Sequence, residues 1–116
     1  MATELAISTG LEEAVTLTAN YRGASAFSGF VKGFLIESDT IAELMSQNNG
    51  NINGIRVYLG IDISEQPARL KALAVATEGD EFNDFGIPES GAETTAIIAE
   101  PRPCPEHCGK MNVLNS

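Results

Sequence analysis

The residues best suited to chemistry lie near the end of the chain, where Cys104, Pro105, Glu106, His107 and Cys108 run in succession. Two thiols and an imidazole within five residues are all zinc-ligand types, so Cys104, His107 and Cys108 form a candidate metal set with zinc as its ion. The chain has no other His or Cys. A fourth ligand would therefore be a carboxylate, a water or a group from a second chain, whereas strong zinc signatures use two separated ligand pairs. A local disulfide, free thiols or a Pro-stiffened tail docked on a sheet are the structural alternatives. Three residues separate the cysteines, one more than in a thioredoxin-type motif. Nucleophilic Cys–His pairs usually come from separate elements packed together, and a Pro-rich tail positions groups poorly. His107 has no G-x-S-x-G companion, and neither a P-loop, a G-x-G-x-x-G nor an H-E-x-x-H is present. No catalytic residue is assigned, and no cofactor beyond zinc is expected.

Arg56 and Tyr58 form a second candidate. Alternation in their segment places both side chains on one strand face, where a guanidinium suits an anion and a phenol a hydrogen bond. The plainer account is that they cover the second face of a sheet, the Arg stem packed and its head in water. Asp80, Asn83 and Asp84 superficially suggest calcium. Their spacing does not fit an EF-hand loop, with its Gly at position six and Glu at position twelve, and a solvated acidic loop fits better.

These groups must be held by a small set of elements. Thr9 and Glu12 have capping-box spacing, and Leu11, Ala14, Val15 and Thr18 recur at helical intervals, predicting a helix over 9–22 that stops at Arg22 and Gly23. Phe27, Phe30, Val31 and Phe34 also have helical spacing, but Gly29 and Gly33 argue for irregular structure followed by a short strand at 33–36. Their aromatic rings read as core. Ser38 and Asp39 open a second helix with Ile41, Leu44 and Met45 on its apolar face, closed by Asn48, Asn49 and Gly50. Ile55, Val57, Leu59 and Ile61 alternate with Arg56, Tyr58, Gly60 and Asp62, the clearest strand in the chain. A turn at 64–67 leads to a second strand at 69–77, so the pair reads as an antiparallel hairpin. The loop over 78–93 holds six of the sixteen acidic residues and no Lys or Arg. Residues 94–100 read as a third strand, ended by Pro101, Pro103 and Pro105.

Charge narrows the partners. Seven Lys plus Arg against sixteen Asp plus Glu leave a formal charge of −9. Nucleic acid and anionic membrane surfaces both recruit Lys and Arg, so neither is an expected partner. Apolar runs reach only about five residues against the ~18 that a bilayer span needs, and the N-terminal residues lack the basic and apolar regions of a secretory signal. With two cysteines and no disulfide framework, a soluble, cytoplasmic protein is expected. Hydrophobic residues make up 43% of the 116, so the chain is not disordered by composition, but without Trp its core must be largely aliphatic.

The segment from Gly54 to Gly60 (Gly-Ile-Arg-Val-Tyr-Leu-Gly) resembles a strand found in a family of short bacterial proteins of unknown function. The likeness extends to Asn20, Tyr21 and Arg22, to the strand at Leu70–Thr77, and to the Cys-Pro tail ending at Val113, Leu114, Asn115 and Ser116. It implies no activity, cofactor or site residue. Where that family often has a second Pro after Cys-Pro, Glu106 stands here.

These patterns predict an α+β fold: two N-terminal helices packed on a small, mostly antiparallel sheet of three to four strands. Residues 1–103 are expected to form one domain and 104–116 an irregular tail containing Pro and Cys. A sheet of this kind has exposed edges, and pairing edges across a two-fold axis covers them, so a homodimer or another protein is the expected partner. The function expected is a non-enzymatic interaction or assembly module. Metal or thiol-redox chemistry at 104–108, and small-ligand binding at Arg56 and Tyr58, are the alternatives.

Overall fold

The computed structural model describes residues 8–24, 31–91 and 93–115. Helix α1 (Leu11–Ala24) begins after Gly10, whose carbonyl accepts the N–H of Ala14 at 2.9 Å. Glu12 and Glu13 stand in its first turn and Arg22 in its last, each favourable to the helix dipole. Strand β1 (Gly33–Leu35) is followed by helix α2 (Ser38–Met45). Glu37, not Ser38, occupies the N-cap of α2, with no side-chain cap bond. The turn after α2 (Asn48–Gly50) has φ of 54° and 55° at Asn48 and Asn49, the left-handed conformation that Asn tolerates.

Strands β2 (Gly54–Asp62) and β3 (Arg69–Glu78) form the antiparallel hairpin, in unbroken register from Gly54 opposite Thr77 to Asp62 opposite Arg69. A two-residue strand β4 (Asn83–Asp84) adds to the far edge of β3. Strand β5 (Arg102–Cys104) pairs with β1 in a separate two-stranded sheet. The fold is thus α+β, with two helices and two antiparallel sheets of two and three strands. No helix among the described residues is long and apolar enough to cross a membrane.

One expectation changes. Residues 94–100 do not form a strand. Only Ala99 bridges to Ala74, with reciprocal N–H to carbonyl bonds of 2.8 and 2.9 Å. The strand forms instead at Arg102–Cys104, where Pro103 stands opposite Phe34. Both strands of that pair are edges, where a missing donor is tolerated. Strand β5 runs through Pro103 and Cys104, and residues near the end of the chain bond to α1 and to Lys32. The Arg22 guanidinium donates to the Leu114 carbonyl at 2.8 Å, and Lys32 Nζ to that of Asn115 at 2.8 Å. The core lies over β3. Ala72, Ala74, Val75, Ala76 and Thr77 are buried together with Val31, Leu44 and Ile52. Their β2 neighbours Val57, Leu59 and Ile61 stay 46%, 70% and 53% exposed. Helix α2, at eight residues, packs against β3 and does not extend the cover to β2. Phe27 and Phe30, read as core, lie outside the described residues.

Candidate functional site

The hairpin register decides the surroundings of Arg56 and Tyr58. Both project from the same face of β2, opposite Val75 and Leu73. Asp84 pairs with Thr77 on the other side of β3, so its carboxylate shares that face. The Arg56 guanidinium donates through Nη1 to Asp84 Oδ1 at 2.6 Å and to the Phe82 carbonyl at 2.9 Å, and the Tyr58 hydroxyl donates to Asp84 Oδ2. The three side chains reach across β3 above Val75, which is only 4% exposed. The Tyr58 hydrogen bond, joined by that of Arg56, holds the Asp84 carboxyl below its ordinary range. The same carboxylate raises the Tyr58 phenol and the Arg56 guanidinium. The donors proposed for an external ligand are therefore engaged by the chain's own carboxylate. Asp84 was legible only as part of an acidic loop, because 28 residues separate it from Arg56 and no local signal links the two.

Cations elsewhere are used in the same way. Lys71 lies 3.5 Å from Glu65 and 3.4 Å from Glu100, Arg69 donates to the Pro105 carbonyl, and Arg102 pairs with Glu37. With Arg22, Lys32 and Arg56, six of the seven Lys and Arg residues bind groups of this chain.

Cys104 and Cys108 are joined in a disulfide, with Cα atoms 4.5 Å apart. Cys104 is buried, Cys108 half-buried and His107 exposed. The His107 N–H donates to the Pro103 carbonyl at 2.9 Å, closing the turn that the disulfide spans. Zinc takes thiolates, which these sulfurs are not in the oxidised state. Among the described residues no group of three or more His, Cys, Asp or Glu is arranged to hold a metal ion. With Cys104 and Cys108 oxidised, Cys104, His107 and Cys108 do not present the thiolate donors expected of a zinc set. A groove of about 310 Å³ runs beside the disulfide, bordered by Lys32, Phe34, His107, Cys108 and Asn115. An apolar groove of about 270 Å³ lies between α1 and β1, lined by Leu17, Tyr21, Val31, Phe34 and Leu70.

The remaining feature is the outer edge of β2. In the three-stranded sheet β2 is terminal and pairs only with β3. Ala74 exchanges both of its backbone bonds with Ala99, and the Ala76 carbonyl accepts from Phe85 N–H at 2.8 Å. Even-numbered residues of β3 therefore aim their polar backbone groups away from β2. Their partners Val57 and Ile55 must then aim theirs outward, and alternation extends this to Leu59 and Ile61. Among the described residues no strand takes up those groups. Ile63 continues the apolar row at 80% exposure. Sequence alternation places these side chains on one face of the strand.

In comparisons with known proteins, no family model, curated protein or solved structure matches this chain.

Proposed function

We propose that this chain is a non-enzymatic protein-interaction or assembly module whose contact is made by strand addition to the outer edge of β2. One observation carries the reading. A nine-residue strand offers outward N–H and carbonyl groups alongside Val57, Leu59 and Ile61, each roughly half or more exposed. Main-chain pairing supplies affinity in strand addition, and alternate side chains supply specificity. Burying a Val, Leu or Ile side chain fully is worth about 1.5–3 kcal/mol, so this row is a substantial unused resource. A photo-crosslinking residue at position 59 tests the reading. Protein adducts formed in cells are expected, and a chain that stays without adducts there would end it.

A second reading, thiol redox chemistry, is favoured by the disulfide itself. Half-buried Cys108 borders the 310 Å³ groove together with Lys32 and His107. Reduction would release two thiols beside an imidazole, the donor set for zinc. Equilibration against glutathione buffers distinguishes the cases. A potential below about −300 mV makes the bond a permanent staple, and a higher one makes it a switch. The cytoplasmic location expected from sequence accords with the reduced form, and the disulfide with an oxidising compartment.

A further inference from the structure

We infer that the occupant of the β2 edge is β2 of a second copy of this chain, antiparallel about a two-fold axis through Leu59. This rests on the edge being the contact surface, as proposed above, and goes further by naming the partner and the register.

The backbone limits the choices first. Ile55, Val57, Leu59 and Ile61 are the residues whose polar groups face outward. An antiparallel partner must therefore set odd-numbered residues opposite odd-numbered ones, which also keeps both apolar rows on one face. A slip by one residue would turn one row to the opposite face. The axis must then pass through a residue and not between two. Among the axes from Val57 to Ile61, side-chain chemistry distinguishes one. With the axis at Tyr58, Arg56 faces Gly60 and Asp62 faces Gly54. With the axis at Gly60, Arg56 faces Ser64. With the axis at Leu59, Arg56 of each copy faces Asp62 of the other, so opposite charges meet twice. The same register sets Tyr58 against Gly60, where an aromatic ring has a glycine to cover. It also sets Val57 against Ile61, Ile55 against Ile63 and Leu59 against itself. None of the other four axes brings opposite charges face to face.

Both side chains of that pair already have partners within one chain. In the single chain Arg56 is drawn across β3 to Asp84 and Phe82 through Nη1, so to meet Asp62 of a second copy it must exchange Asp84 for that carboxylate, while Ser64 uses Oδ1 of Asp62. The strand also lacks the usual guards of a free edge. It contains no Lys and no Pro, its ladder has no bulge, and its two charges cancel in a chain of charge −9. Pairing would produce one continuous six-stranded sheet, ordered β4-β3-β2 and then β2-β3-β4 of the second copy.

Light scattering of the full chain should give twice the 12.3 kDa chain mass. Register is tested by cysteine placement at 58, 59 and 60, one at a time, with oxidised glutathione as oxidant. Residues on the axis form a hydrogen-bonded pair with Cα atoms about 5.5 Å apart, inside disulfide range, so only Leu59→Cys should yield covalent dimer. Charge exchange gives an independent test. Arg56→Glu and Asp62→Arg each place like charges opposite, and each should weaken self-association about tenfold, while mixing the two variants should restore it as a heterodimer. Circular dichroism confirms that each variant is folded before its mass is read, and the cysteine series stands if Arg56→Glu is not. A monomer at several hundred micromolar overturns the proposal, as does a dimer that cross-links at 58 or 60, or one indifferent to charge exchange. A monomer that still forms adducts with other proteins from position 59 would overturn the second copy alone. A chain without adducts of any kind would remove the edge reading as well.

Discussion

At the scale of single residues, the chemistry predicted from types and spacing is largely turned inward. Arg56 and Tyr58 hold Asp84, and the sign of each shift fixes a pH dependence. Asp84 titrates lower in the fold than in the unfolded chain, so its contribution is present above its unfolded pKa and is lost as pH falls through the folded one. Tyr58 titrates higher in the fold, so its contribution is present below its unfolded pKa and is lost as pH rises through the folded one. Wild-type stability should therefore fall at both extremes, and Asp84→Asn should flatten the acid limb in urea titrations across pH. Asp84→Ala should cost about 1 kcal/mol, below the usual ~1.5–3 kcal/mol of a charged hydrogen bond because solvent screens the cluster. The Cys104–Cys108 bond closes a very short loop, so its removal by Cys108→Ser should cost about 2 kcal/mol by loop entropy. Thermal unfolding with and without reductant measures the same quantity in the wild type.

At the scale of elements, burial separates two leucines that sequence pattern treats alike. Leu44 is fully buried on α2, and Leu59 is 70% exposed on β2. Leu44→Ala should cost about 3 kcal/mol, through lost transfer energy and the cavity left behind. Leu59→Ala should stay within about 0.5 kcal/mol for the isolated chain. Urea midpoints at a concentration too low for association give both values. Gly86 marks another constraint of packing between segments. Its φ is +74°, and a Cβ there would lie 2.8 Å from the Cβ of Ala96. Gly86→Ala should therefore destabilise the junction between the acidic loop and the segment leading to Ala99, by about 1–3 kcal/mol in the same titrations.

At the scale of the whole molecule, extents of 43 × 41 × 24 Å describe a flat body. Its three-stranded sheet has a buried side at β3 and an open margin at β2. Natural sheets guard such margins with charge, Lys above all. Leu59→Lys should therefore leave secondary structure unchanged and hold the chain at monomer mass in light scattering, since position 59 contributes little to the core of one copy. Loss of the fold in that variant would show that the edge belongs to the interior of a single chain.

Sequence alone determined what is local. Period-two alternation placed β2 at Gly54–Asp62 and predicted its antiparallel partner, because strand geometry sends successive side chains to opposite faces whatever lies above them. Helical spacing located α1 and α2, and Asn48, Asn49 and Gly50 marked a left-handed turn, since these preferences reside in a few neighbouring residues. Tertiary structure decided which alternating face is buried, which carboxylate meets Arg56 and Tyr58, and where the last strand forms. Alternation distinguishes two faces without saying which receives a cover, and here α2 packs on β3, leaving Leu59 open. The union of Arg56 with Asp84 depends on a register spanning 28 residues, and β5 exists because β1 offers Pro103 an edge that asks for no donor.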